Sequence, residues 1–299
     1  MNIIKIDNIT IKSASTWNEL KRSQLLYIAN NWSHWASIIR NNSLFTLSRL
    51  KMLAVLLGIS NRKILNKKRK LFIELYSTRI QGESEESYID RNAPLVDLLK
   101  TSDFIFKENT LTHNLFPHIP LSIFRRGVRG EALLKRNSLY GPSDELKNIS
   151  LAEFSYADSF YLKYFKSKNT EDLDLMIACL YRPKQKEVDI NSEYFTGDIR
   201  EKFNKNTIEQ RAAQIKKLHI KYKQAILLFY IGCRTYIVDS HPSVFPKDSK
   251  QKASRFGYAS LILELSGQKF GNYEQTQQQE LYTILTYLEV LAEKGAKAK

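Results

Sequence analysis

The chain has 299 residues, and its 43% hydrophobic content, with 15 Phe and 16 Tyr, argues against global disorder. Lys and Arg exceed Asp and Glu by 46 − 31 = +15, which favours polyanions or acidic protein surfaces over neutral partners. Residues 1–80 carry 14 basic and 3 acidic side chains, so most of this excess belongs to the N-terminal quarter.

The first 80 residues predict one hairpin followed by helices. Residues 2–12 alternate apolar and polar around Asp7-Asn8, as a short β-hairpin does. Thr16-Trp17-Asn18-Glu19 is a capping-box pattern and predicts a helix that runs to about Asn30. Helical patterns follow at 44–57 and 62–76, separated by Gly58-Ile59-Ser60.

The middle of the chain has weak periodicity. The acidic segment 81–90 marks a boundary or an exposed loop, and prolines and glycines interrupt residues 92–142. We therefore expect three regions. These are a basic N-terminal helical region with the β-hairpin at 1–80, an irregular connecting region at 81–147, and a C-terminal helical domain at 148–299.

The C-terminal region predicts several amphipathic helices. Helices at 151–166 and 171–181 form an antiparallel pair that ends at Arg182-Pro183. Asn206-Thr207-Ile208-Glu209 is a second capping-box pattern, which predicts one long helix to about Val238. Two further helices are expected at 250–265 and 276–293. The predicted fold class is thus mainly α, a multi-helix bundle-like fold with a short N-terminal β-hairpin.

The sequence contains no catalytic signature. It has no glycine-rich phosphate loop, no H-E-x-x-H and no G-x-S-x-G. His113 and His118 lie in a proline-containing loop, where polar loop histidines are a simpler interpretation than metal ligands. Asp158 lies in an aromatic-rich helix, and we expect it to pair with an Arg or Lys. We predict a protein that is not an enzyme and has no catalytic, cofactor or metal site.

The two cysteines and the N-terminal sequence indicate the cellular compartment of the protein. Cys179 and Cys233 lie inside apolar helical patterns, where a thiol packs as a small hydrophobe. The stretch MNIIKIDNITIKSAS lacks the order of a secretory signal, and the longest apolar run, 225–233, is too short to span a bilayer. The expectation is a reducing, cytoplasmic setting without membrane contact.

The segment 44–76 resembles a helix-turn-helix of DNA-binding proteins, with Ala54 at the helix crossing and Gly58 at the turn. In that alternative, the second helix and the basic run after it offer these residues to nucleic acid: Asn61, Arg62, Lys63, Asn66, Lys67, Lys68, Arg69 and Lys70. Lys67 departs from the motif, which keeps an apolar residue there. A packed helix pair with a solvated basic face is the simpler explanation of the pattern.

Several pieces of the chain occur together in a recognisable order. They are Trp17-Asn18-Glu19-Leu20, Gln24-Leu25, Leu56-Leu57-Gly58, Gly141-Pro142, Leu151-Ala152-Glu153-Phe154, Ala157-Asp158, Asp174 through Tyr181-Arg182-Pro183, and Phe270-Gly271. In these pieces the chain resembles a poorly characterised group of proteins encoded among virion and tail-assembly genes of tailed bacteriophages and prophages.

That resemblance implies a non-enzymatic structural or assembly protein that acts in virion or tail morphogenesis through protein–protein contacts. The implied partners are other phage virion or tail proteins, with self-association left open. Nucleic acid is a further partner open to the basic N-terminal region. The implied location is the host cytoplasm during assembly, with the mature virion left open. The resemblance transfers no site residues.

Overall fold

The computed structural model describes residues 1–6, 9–38, 42–58, 82, 84–120, 138–187, 189, 191–193, 195, 197–245, 258–267 and 269–297. The predicted mainly helical fold is confirmed. Contacts divide the chain into two compact units, Met1–Leu111 and Thr112–Lys299, each of which is described by itself. This division falls inside the region 81–147 that the sequence assigns to a connection.

The first unit begins with two antiparallel strands. Strand β1 (Asn2–Ile6) pairs with β2 (Ile9–Ser13), with Ile4 opposite Ile11, and the connecting residues 7 and 8 lie outside the described residues. The predicted capping box at Thr16 is wrong, because that side chain makes no capping hydrogen bond. Glu19 instead accepts from the backbone N–H and hydroxyl of Ser15.

Helix α1 (Arg22–Ile38) therefore starts later than predicted, and α2 (Asn42–Leu56) follows it. Gln24 links the two, since its Nε2 donates to the carbonyl of Leu56 at 3.0 Å and so caps the end of α2. Buried Trp17 anchors the unit by donating from Nε1 to the carbonyl of Phe104. The helix predicted at 62–76 lies outside the described residues.

Helix α3 (Glu85–Lys100) corrects the prediction of an exposed acidic loop and an irregular region. Ser84 caps it by accepting from the N–H of Ser87, and Glu85 and Glu86 stand at its positive end. The acidic residues that suggested a loop are thus helix-start charges. Pro94, interpreted as a turn, lies within the helix.

The second unit contains a small sheet and a helical pair. Strands β3 (His118–Pro120), β4 (Ser138–Tyr140) and β5 (Arg182–Pro183) form an antiparallel sheet in that order. Helices α4 (Leu151–Ser167) and α5 (Thr170–Leu180) pack together as the predicted hairpin. Ser150 and Asn169 cap their starts with side-chain oxygens.

The long helix predicted to start at Asn206 is wrong in its extent, since it is two helices, α6 (Ile208–Ile215) and α7 (Ile220–Ser240). Thr207 makes no capping bond from its side chain. Lys223 stabilises the break, because its Nζ donates to the carbonyl of Lys216 and pairs with the buried carboxylate of Asp174. Lys223, inside the predicted long helix, thereby satisfies the carbonyl of Lys216, which the break leaves without a helical partner.

The chain ends in three helices, α8 (Tyr258–Leu265), α9 (Tyr273–Gln278) and α10 (Leu281–Lys297). The last two replace the single helix predicted at 276–293, and Asn272 and Gln275 form a capping box at the start of α9. Among the described helices, none is both long and apolar enough to cross a bilayer.

Candidate functional site

Helix α4 changes character halfway along its length. From Leu151 to Asp158 every residue except Tyr156 is buried, whereas from Ser159 to Ser167 no residue is buried. The first half packs against α5, and Phe154 meets Tyr258 of α8 edge to face at 5.7 Å. The two halves therefore present different chemistry, a charged core site and an exposed aromatic surface.

A buried ion network begins at Glu153. Its Oε2 accepts from Nη2 of Arg182 and its Oε1 accepts from Nη1 of Arg200, both at 2.8 Å. Asp198 closes the network, since its carboxylate accepts from Nε of Arg200 at 2.8 Å and from Nη2 of Arg182 at 3.2 Å. Two guanidinium groups and two carboxylates balance, so burying the network leaves no net charge.

Arg200 also ties three chain segments together. Its Nη1 donates to the carbonyl of Leu180 at the end of α5, and its Nη2 donates to the carbonyl of Asn148 just before α4. Because the guanidinium has a fixed planar geometry, it holds both helix ends in one orientation. The network acts as a structural clamp.

Burial governs the ionisation of this network. It raises the pKa of Glu153, opposed by the nearby Arg200 and Arg182. It lowers the pKa of Arg182 more than the carboxylate of Glu153 raises it. Burial acts the same way on Arg200, but the carboxylates of Glu153 and Asp198 outweigh it, so that the pKa of Arg200 is raised.

A second buried carboxylate, Asp158, ends the buried half of α4. It accepts hydrogen bonds from the hydroxyl of Tyr230, from Nε of Arg234 and from the hydroxyl of Tyr258. The expected pairing with a basic residue is confirmed by Arg234. Burial and the adjacent carboxylate raise the pKa of both tyrosines, so each hydroxyl remains a proton donor.

A cavity of about 950 Å³ lies beside the ion network in the second unit. The network forms part of its lining, and polar side chains form most of the rest. The lining comprises Asn148, Ile149, Ser150, Glu153, Tyr156, Arg182, Gln185, Asp198, Arg200, Lys202, Phe203, Asn204, Lys205, Asn206, Tyr273, Glu274, Gln277, Gln278 and Glu280. Its size is that of a ligand pocket, although its lining is more polar than is usual.

The exposed half of α4 carries an aromatic surface. Phe160, Tyr161, Leu162, Tyr164 and Phe165 lie within six residues, and none of them is buried. Leu162 is 41% exposed and Phe165 is 60% exposed. The ring centres of Phe165 and Tyr161 are 6.2 Å apart, and Nζ of Lys168 lies 4.4 Å from the ring centre of Phe165. These five residues are called the α4 aromatic surface below.

The residues predicted for nucleic-acid binding cannot be assigned to a surface. Asn61, Arg62, Lys63, Asn66, Lys67, Lys68, Arg69 and Lys70 all lie outside the described residues. Of the loop histidines, His113 contacts the carboxylate of Asp144 at 2.6 Å. The ring of His118 lies near that of Tyr140 in a tilted arrangement. Within the described parts of the chain, no three His, Cys, Asp or Glu residues cluster to hold a metal ion.

Sequence reasoning missed the ion network. A usable signal was present, since Glu153 lies between Ala152 and Phe154 and one turn before Ala157, on a face that must be buried. Its partners were not deducible, because Arg182 and Arg200 come from later segments. Cys179 and Cys233 are both buried, as the apolar patterns predicted.

Comparison of the chain with protein-family models, with curated proteins and with solved structures gave no significant match.

Proposed function

We propose that this chain is a non-enzymatic assembly protein of the tailed-phage type that its sequence resembles, and that it acts through protein–protein contacts. The observation that supports this proposal is the α4 aromatic surface. Leu162 and Phe165 are exposed and its other three members are partly exposed, within the described part of the second unit. Aromatic residues are enriched in the buried centres of protein interfaces, and contiguous exposed apolar patches mark such interfaces.

The surroundings of this surface specify the partner's chemistry. Lys163, Lys166 and Lys168 lie on or directly after the exposed half of α4, and all three are exposed. An apolar centre with a basic rim fits a virion or tail protein that presents an apolar patch flanked by carboxylates. The basic rim would speed association and make its rate depend on salt.

The test is complex formation with the proteins that the neighbouring genes of its own genome encode. The tagged chain is co-expressed with each of them and the complexes are weighed by native mass spectrometry. We expect a defined complex that the double substitution Leu162→Ser with Phe165→Ser abolishes. Leu263→Ser is the matched control, since Leu263 is 63% exposed on α8, outside the α4 aromatic surface.

Two outcomes would overturn the proposal. One is the absence of any complex, whether with those proteins or between copies of the chain. The other is a complex that the double substitution leaves intact.

A DNA-binding function is the second candidate, and the charge distribution favours it. Residues 1–80 hold 14 basic and 3 acidic side chains, which suits phosphate contact. Its test is a DNA titration at several salt concentrations, with Arg62, Lys63, Lys67 and Lys68 changed to Ala. Binding that persists in this variant would exclude the segment 44–76 as the DNA site.

A further inference from the structure

The chain segment that carries Arg200 extends the small sheet of the second unit. Lys184 and Arg200 form an antiparallel bridge. On either side of it, the N–H of Gln185 donates to the carbonyl of Ile199 and the N–H of Glu201 donates to the carbonyl of Pro183, both at 2.9 Å. Residues 199–201 therefore lie along β5, on the side opposite β4.

The outer side of this segment carries backbone groups that no described residue pairs, and it is accessible at exposed Lys202, whereas Arg200 itself is buried. Backbone groups alternate in direction along a strand, so those of Arg200 and Lys202 point away from β5. Asp198 accepts the N–H of Arg200 through its side chain. The C=O of Arg200 and both backbone groups of Lys202 have no hydrogen-bond partner among the residues that the structure describes. An open edge of this kind is a template for an additional extended chain.

The open edge borders the 950 Å³ cavity, because Arg200 and Lys202 both line it. Six amide side chains also line the cavity, and such groups hydrogen-bond to the N–H and C=O groups of a peptide. They are Asn148, Gln185, Asn204, Asn206, Gln277 and Gln278. The cavity thus offers donors and acceptors both along the edge and across from it.

The charges of the lining select against a strongly charged ligand. Four cations and four carboxylates line the cavity, although the chain as a whole carries a net charge of +15. They are Arg182, Arg200, Lys202, Lys205, Glu153, Asp198, Glu274 and Glu280. The lining has no net charge, which suits a polar ligand of low net charge rather than a polyanion.

Aromatic side chains in the lining also suit a peptide. Tyr273 is 37% exposed, and Tyr156 packs against Phe203 with ring centres 5.5 Å apart. These rings provide apolar contact for side chains of the bound segment.

We propose that this cavity binds an extended, polar peptide segment of a partner protein, which adds as a strand to the open edge at Arg200–Lys202. The proposal deepens the assembly function and rests on it, since the segment belongs to a protein partner. Backbone hydrogen bonds to the edge supply the affinity. The amide and aromatic side chains of the cavity select the sequence.

The test uses the full chain and a displayed library of random short peptides. The peptides it retains are synthesised, and their affinities are measured by isothermal titration calorimetry. Lys202→Pro removes the central donor of the edge, and we expect it to weaken binding about tenfold or more. Lys186→Pro is the matched control, because Lys186 is an exposed lysine nearby that does not line the cavity.

A second measurement needs no variant. Amide hydrogen exchange of the wild-type chain is recorded with and without the selected peptide, and we expect exchange at Lys202 to slow in the complex. This readout remains valid if Lys202→Pro fails to fold.

Three results would overturn the proposal. They are a library that yields no binding peptide, exchange at Lys202 that the peptide leaves unchanged, and a neutral oligosaccharide panel that binds in place of peptides. A different result would overturn the proposed assembly function. If Leu162→Ser with Phe165→Ser left every protein complex intact but the peptide still bound in the cavity, the α4 aromatic surface would be rejected and the peptide site retained.

Discussion

The two halves of α4 both contain aromatic residues but differ in burial. Leu151 to Asp158 contains Phe154 and Tyr156, and Ser159 to Ser167 contains four aromatic residues, so aromatic content is higher in the exposed half. Burial follows instead from the neighbours that reach each half. Arg182, Arg200 and Tyr258 cover the first half. In the second half, Tyr161 and Tyr164 contact α7, whereas Leu162 and Phe165 stay exposed. The aromatic content of a helix segment alone therefore does not locate the core.

The largest effect is expected at the centre of the buried half. Glu153→Gln leaves Arg182 and Arg200 with only Asp198 for compensation, and removing one partner of a buried ion pair costs about 3–5 kcal/mol of unfolding free energy. Urea unfolding monitored by circular dichroism measures it. Glu171→Gln is the control, since Glu171 and Lys216 form an exposed ion pair on the surface. A loss equal to that of the control would show that the network does not clamp the fold.

A smaller loss is expected at Asp158. Asp158→Asn keeps one acceptor oxygen but loses the charge that faces Arg234 and the two tyrosine hydroxyls, at a cost of about 1–3 kcal/mol. The same unfolding experiment applies, and Asp97→Asn, in an exposed pair with Lys100, serves as reference. Equal stability of the two variants would contradict the structural role assigned to Asp158.

The exposed half should tolerate substitution. We expect Leu162→Ser with Phe165→Ser to change the unfolding free energy by no more than about 0.5 kcal/mol, while protein complexes are lost. Thermal unfolding checks the first statement and native mass spectrometry the second. A strong destabilisation would mean that the aromatic side chains stabilise the fold rather than a partner.

The thiols should show no reaction at all in the folded state. Burial raises the pKa of both Cys179 and Cys233. Raising the pH to about 9, where an ordinary thiol ionises, should therefore produce no thiolate in the native protein. Labelling with a chromogenic thiol reagent measures this, and we expect reaction only on unfolding. Glu153→Gln should accelerate it, whereas a rate typical of a free thiol in the wild type would contradict the packing around α5.

Local signals predicted the helical pair well. The predicted ranges 151–166 and 171–181 and the proline after Arg182 agree with the observed helices to within a few residues, and the structure adds side-chain caps at Ser150 and Asn169. Short-range chemistry was enough to place α4 and α5. Where the sequence prediction failed, a local sequence pattern was misleading. Pro94 resembled a turn but lies inside α3, and the apolar pattern continued across the break between α6 and α7.

The candidate site required information that no local pattern contains. Glu153 is 29 residues from Arg182 and 47 from Arg200, and the sequence does not say which of many basic residues will meet a buried carboxylate. The cavity likewise forms from segments before α4, after β5 and within α9. Only the folded chain brings these segments together.

The bridge between Lys184 and Arg200 has an evolutionary consequence. It fixes both ends of the segment 186–197, so the length of that segment is uncoupled from the sheet and from the ion network. Loop closure depends only logarithmically on length, and doubling the segment would cost about 0.6 kcal/mol. Insertions and deletions can accumulate there at little thermodynamic cost. Chains that share this clamp can therefore differ most in length beside the cavity.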